Sequence, residues 1–400
     1  MDHLRRTAAK VAVIGCGMTK FGRHDDKSLM DLLTEASIKA LDDTGKANLQ
    51  VDSVYVASML AGELTHQTAI ASALTDQLGL LPAGAQRIEN GPASGGSAIL
   101  QGFQAIASGV CETVLVTGGE KMRHVPGNRI TDLVSTMTHP TAEYVHGVTL
   151  PSLAAMFTRL YMTRYGVTRE HLARIAIKNH ENALKNPYAQ LHKAITMEEI
   201  LTGPQAEKSN PIVSDPLRLF DCCPVTDGAA SVVLCAAEKA KELNAKAVGI
   251  AGVGNATDTL AITERKKLLD LEAVRLASQK AFRMANLNPS DVDVAELHDA
   301  FEILEIAESE DAGFFGKGTA HKAVEQGVTS LTGKLPINPS GGLKARGHPV
   351  GATGVAQVVE LTWQLREEAG QRQVKDATNA FSCNFGGFGN NVTAIVLEKM

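Results

Sequence analysis

The chain has 400 residues, 44% hydrophobic and 21% charged, with 36 glycines and a formal net charge of -5; this is an ordinary globular composition long enough to bury a large core. Acidic balance and scattered Lys and Arg exclude nucleic acid as a main partner, and no apolar run nears the ~18 residues of a membrane span. Six cysteines without CxxC spacing suggest neither a zinc site nor a disulfide framework, so a reduced, cytoplasmic protein is the expectation.

The opening "MDHLRRTAAKVAVIGCG" carries two arginines and a short apolar run broken by glycine, which predicts a first strand rather than a leader. A helix follows over "SLMDLLTEASIKALDDTG", stopped by Gly45, then a strand over "VDSVYVAS" and a helix over "HQTAIASALTDQLGL". "RIENGPASGG" reads as a short buried strand, a tight Gly-Pro turn at Gly91-Pro92, and a helix opened by small residues. "ETVLVTGGEKM" is the next strand. The second half repeats the plan, with a strand over "KAVGIAGVGNAT", a helix over "DLEAVRLASQKAFRMANL" and a strand over "VDVAELHDAF". "VGATGVAQVVELTWQLREEAG" is a helix, followed by strands over "DATNAFSCNFGG" and "NNVTAIVLEKM".

Alternating strands and helices predict an α/β protein, and the echo of "VDSVYVA" at 51 in "VDVAELH" at 292 points to two duplicated halves. The expected units are 1–119 for the first half, 120–246 for a segment covering the site, and 247–400 for the second half. The "ENGPASGG" elbow then answers in place to "GGLKARGHPVGATG", so both loops are expected to meet at a pseudo-two-fold axis.

Three stretches carry the chemistry. In "GHPVGATG", glycines let a ligand approach the backbone at a helix N-terminus, and His348 can donate to a developing oxyanion or act as a base. "ELHDAF" places His298 and Asp299 past the end of a buried strand, where ligands of such sheets sit; Asp299 equally suits a helix cap. "NAFSCNFGGFGNN" brings Cys383 and Asn384 to a strand end whose Gly386 and Gly387 can offer backbone N–H groups to an oxyanion. Cys222-Cys223 reads as structural, and Cys16, Cys111 and Cys235 as packed.

In this order, "GGEKM", "HGVTLPSLAAM", "KNHENALKNPYAQ", "CPVTDGAA", "ELHDAF" and "NPSGGLKARGHPVGATG" resemble the thiolase superfamily across essentially the whole chain, above all its sterol-carrier-protein-type and archaeal acetyl-CoA acetyltransferase members. The resemblance implies a five-layered αβαβα sandwich of duplicated halves with a loop domain. It implies a coenzyme A thioester as substrate, no covalently bound cofactor, a homodimer, and in some relatives a small zinc-ribbon/OB-fold subunit. It also implies that the elbow should read Glu-Asn-Ala-Cys-Ala-Ser-Gly, with a nucleophilic cysteine. Here Pro92 stands in that place, without a thiol and without the backbone N–H that steadies the acyl intermediate. Losing one such donor typically costs about two to three orders of magnitude in rate.

By the same resemblance, His348 and a water held by the His298 loop would form the hole for a thioester enolate. Asn384 stands where an acid/base cysteine often sits, Cys383 is one position earlier, and Ala300 stands where sterol-carrier-type members carry cysteine. Pro92, Ser94, Asp299, Gly386 and Gly387 would border the substrate. Three readings follow. The first is thiolase-type acyl transfer with Cys383, or less well Ser94, as a displaced nucleophile. The second is retro-aldol cleavage of a 3-hydroxyacyl-CoA, and the third a non-catalytic thiolase-like subunit.

Overall fold

A computed structural model describes residues 11–243 and 246–400; residues 1–10, where the N-terminal expectation partly falls, lie outside them. Strands β1 (Val11–Met18), β2 (Ser53–Ala57), β3 (Gly84–Ile88), β4 (Thr113–Glu120) and β5 (Gly228–Ala236) hydrogen-bond in the order β3-β2-β4-β5-β1. Strands β6 (Val248–Thr257), β7 (Val294–Glu296), β8 (Asn379–Gly386) and β9 (Asn391–Lys399) continue the same sheet as β6-β9-β8-β7.

The two orders are one pattern. β7, β8, β9 and β6 take the places of β2, β4, β5 and β1, with the same parallel and antiparallel pairings. Where β2 pairs with β3, the second half keeps a lone parallel bridge from Ala295 to Ile337. The halves join through β1 and β6, which pair at Ala12–Gly249 and Val13–Val248.

Helices α1 (Leu29–Asp43) and α2 (Ile70–Gln77) cover the outer face of the first half, where Leu32, Leu33, Ala36, Ile70 and Leu74 meet Ile14, Val54 and Val56. Helix α3 (Ser94–Ala107) runs inside, and α4 (Leu150–Tyr165) and α5 (Arg169–Ala183) fall in chain order between β4 and β5. Helices α6 (Glu272–Ala285) and α7 (Glu302–Asp311) cover the outer face of the second half, against Phe381, Val392 and Val396. Helix α8 (Thr353–Leu365) lies beside α3 between the half-sheets: Ile99, Phe103, Val355 and Val359 share one cluster with Val114, Val232 and Ile395. The layers are therefore helix, sheet, helix, sheet, helix, the thiolase fold.

Two expectations change. The strand before the elbow, β3, is a half-exposed edge and not a buried strand, because nothing among the described residues pairs with its outer side. The segment at 228–236, assigned above to the covering unit, is β5, inserted between β4 and β1; its run "GAASVVLCA" is buried throughout save its last residue. A strand buried on both faces shows no alternation, so its sheet could not be read from its pattern.

The central helices approach backbone to backbone. A Cβ on Gly95 would lie 2.8 Å from the backbone nitrogens of Gly354 and Val355, and one on Gly354 would lie 2.3 Å from Gly96 N and Asn384 Oδ1. Gly354→Ala should therefore lower stability by roughly 1–3 kcal/mol or more through overpacking. Urea unfolding should show a lower midpoint at unchanged slope; an unchanged midpoint would contradict the contact.

Candidate active site

The elbow links β3 to α3. Gly91 takes φ +56°, a left-handed conformation, and a Cβ there would meet Met137 Sδ at 2.6 Å. The fully buried Ser94 hydroxyl closes the turn, donating to Gly91 O at 2.5 Å and accepting from Asn90 N–H at 2.8 Å. Ser94 is thereby spent on the turn and is not offered to a substrate. Pro92 is buried and lies outside the helix, one residue before the N-cap Ala93. Its carbonyl accepts from Asn384 Nδ2 at 3.1 Å.

Asn384 points inward from β8 and joins the elbow to the second half. Gly96 N–H can only donate, and it reaches Asn384 Oδ1 at 2.9 Å, which turns the amide nitrogen toward Pro92 O and His298 Nδ1. His298 Nδ1, 3.4 Å from that nitrogen, is therefore an acceptor. A neutral His298 then carries its proton on Nε2.

His298 and His348 meet edge to face, with ring centroids 4.9 Å apart, and His298 stacks on Phe385. His348 Nδ1 lies 2.6 Å from Thr353 Oγ1, and that hydroxyl lies 3.1 Å from Pro349 O. The hydrogen placement that satisfies both has Thr353 donating to Pro349 O and accepting from Nδ1–H. That leaves the His348 Nε2 lone pair free of this network. His348 N–H donates to Thr226 Oγ1 at 3.0 Å. Burial first, then the charges of His348 and Arg346, holds His298 well below the usual imidazole range. Burial, with Arg346, brings His348 down to about 3. Both rings are neutral at physiological pH, one presenting N–H and the other a lone pair.

Behind His298 lies a buried acid. Glu308 Oε2 accepts His298 N–H at 3.0 Å, and burial pushes this carboxyl well above its ordinary range. Cys383 faces Glu308 from the opposite side of β8, fully buried beside Phe381 and Phe385. Neighbours on a strand point to opposite faces, so Asn384 faces the elbow and Cys383 does not. Burial and Glu308 keep its thiol protonated. The expectation of Cys383 as a displaced nucleophile is corrected on both counts.

Asp299 is also corrected. It does not cap α7, whose N-cap is Phe301 with no side-chain bond, and it is fully buried. Its carboxylate accepts from Leu343 N–H, Lys344 N–H and Asn179 Nδ2, bracing the loop at Gly341–Lys344. Burial and then Glu305 push it to about 7. Gly386 and Gly387 do border open space, a cleft of about 590 Å³ shared with Arg87, Asn90, Gly91 and Met137. Sequence reasoning passed over Thr226, Thr353 and Glu308, whose contacts span up to 122 residues. The only local signals were the threonines inside "CPVTDGAA" and "GHPVGATG".

Depressed imidazole values have a sign. Unfolded histidine gains its proton near 6.5, while these folded rings resist it, so their neutral form favours folding above that pH and the contribution falls as pH drops below it. In a 13C-edited NMR titration, the Cε1–H signals of His298 and His348 should stay flat between pH 5 and 8. A midpoint near 6.5 for either would sink the neutral pair.

Two family profiles match the chain, "Thiolase, N-terminal domain" over residues 11–238 and "Thiolase C-terminal domain-like" over 254–399. An acetyl-CoA acetyltransferase of Methanothermobacter thermautotrophicus is 43% identical over 97% of this chain and 99% of its own. Human sterol carrier protein 2 is 34% identical over 98% of this chain and 72% of its own. Among solved structures, the Ltp2-ChsH2(DUF35) aldolase superposes with a TM-score of 0.82 at 24% identity, covering 98% of both chains. Human mitochondrial 3-ketoacyl-CoA thiolase in complex with CoA gives 0.73 at 19%, over 98% of this chain and 99% of its own. The duplicated half-sheets and paired central helices fit these matches: the chain belongs to the thiolase superfamily.

Proposed function

We propose that this chain acts on 3-hydroxyacyl-CoA thioesters as a retro-aldol lyase. The observation that carries this reading is the elbow itself: proline holds the nucleophile's place, Ser94 is consumed by the turn, and Cys383 lies across the strand. Acyl transfer through the enzyme needs a nucleophile there. Retro-aldol cleavage needs only a base and a donor to the enolate oxygen.

In this proposal His348 Nε2 takes the proton of the 3-hydroxyl as the C–C bond breaks, so that the negative charge developing on the enolate offsets the imidazolium that burial and Arg346 disfavour in the empty site. The C2–C3 bond breaks, its electrons pass to the thioester as an enolate, and the carbon that bore the hydroxyl leaves as a carbonyl compound. His298 Nε2–H donates to the enolate oxygen, and the His348 imidazolium returns its proton to C2, giving the shortened acyl-CoA. The N-termini of α3 and α8 add positive potential where the charge develops. The two-part name of the Ltp2-ChsH2(DUF35) aldolase supports a second subunit for this chain too. A homodimer and a cytoplasmic setting complete the reading.

Thiolase-type acyl transfer is the second reading, favoured by the name of the 43% identical relative. Incubation with 3-hydroxyacyl-CoA and 3-oxoacyl-CoA panels, read by product analysis and intact-protein mass spectrometry, separates them. The lyase cleaves the hydroxyacyl substrates without free CoA and without an adduct, and Cys383→Ala leaves the rate within about threefold, while His298→Ala lowers kcat on the order of 10²- to 10³-fold. An acyl adduct that vanishes in Cys383→Ala would overturn the proposal in favour of transfer. Pro92→Cys should create an adduct with acetyl-CoA, since it restores both thiol and N–H; no adduct would mean that the elbow does not face the thioester.

A further inference from the structure

Glu120, the last residue of β4, is fully buried and lies outside the constellation above. Its carboxylate takes four donors: Ser58 Oγ at 2.8 Å and Leu60 N–H at 3.0 Å on Oε1, Met59 N–H at 2.9 Å and Gly351 N–H at 3.1 Å on Oε2. Three belong to the turn after β2, in the first half. The fourth belongs to the loop that carries His348, in the second.

That loop rests on bare backbone. A Cβ on Gly351 would lie 2.7 Å from Ala57 O and 2.8 Å from Gly119 O, and one on Gly118 would lie 2.4 Å from Gly351 O. Small residues allow the approach but do not fix its height, since contact between glycines has no directional bond. The bond from Gly351 to Glu120 supplies direction, three residues from His348, while Thr226 holds His348 at its own N–H. Lys121 does not compete for the carboxylate, because its ammonium bonds Asp227 and His24 O.

We propose that Glu120 is a positioning residue for the reaction, setting the distance between the His348 loop and the elbow by gathering donors from both halves. The inference rests on the functional reading of His348 given above. Burial raises the carboxyl to about 7 against the pull of its four donors. An amide of the same shape must aim N–H at two groups that are themselves donors.

The test is Glu120→Gln beside two controls: Ser58→Ala, which removes one donor and keeps Gly351, and Leu74→Ala, a cavity under α2 far from the loop. Glu120→Gln should lower kcat on the order of 10- to 100-fold with KM within about twofold, as expected for a small displacement of a reacting group. Ser58→Ala should stay within about threefold, and Leu74→Ala should lose melting temperature but not kcat. In 13Cε1-histidine-labelled protein, Glu120→Gln should shift the His348 signal, assigned through His348→Gln, and leave His171 and His321 in place. An unmoved His348 signal overturns the proposal, and so does a kcat loss no greater than in Leu74→Ala. If no thioester is turned over by the wild type, the functional reading fails while the spectroscopic shift still decides the role of Glu120.

Discussion

Two helix N-termini, those of α3 and α8, touch through glycine at the centre of this molecule, and the site depends on that contact. Gly95, Gly96 and Gly354 leave no room for side chains, so the elbow before α3 and the histidine loop before α8 are brought to one point. Asn384 fills the remaining space, and its amide satisfies one orphan donor of α3 through Gly96. A larger residue at Gly95 or Gly354 would press on the facing backbone, and one at Gly96 or Gly354 on Asn384 as well.

Two aligned helix ends also set the electrical character of the site. Each carries partial positive charge at its N-terminus, and Arg346 adds a full charge nearby, which disfavours protonated imidazole. The same field favours negative charge on any group held between the two loops, and it comes from the helix ends and Arg346, so proline at the elbow leaves it in place.

Much of this was legible in the sequence. Period-two and period-3.6 patterns predict most of the elements; a glycine-flanked loop singles out His348, and the end of a buried strand singles out His298. The rest required register. Whether Cys383 or Asn384 faces the elbow is a matter of one residue along β8, and a fully buried strand hides its phase. Asp299 looked like a ligand or a cap because acids after strands often are; its partners at Asn179 and Leu343 lie 120 and 44 positions away. Placing 228–236 in the covering segment treats sequence neighbours as spatial ones, whereas the partners of β5 are β4 and β1.

The seam between the half-sheets is narrow, formed at Ala12–Gly249 and Val13–Val248. Two residue pairs tie the half-sheets to each other at this edge, and the backbone approach of α3 to α8 ties the halves a second time in the layer between them. A substitution at Gly95 or Gly354 therefore acts on the junction of the two halves as well as on the local packing of one helix.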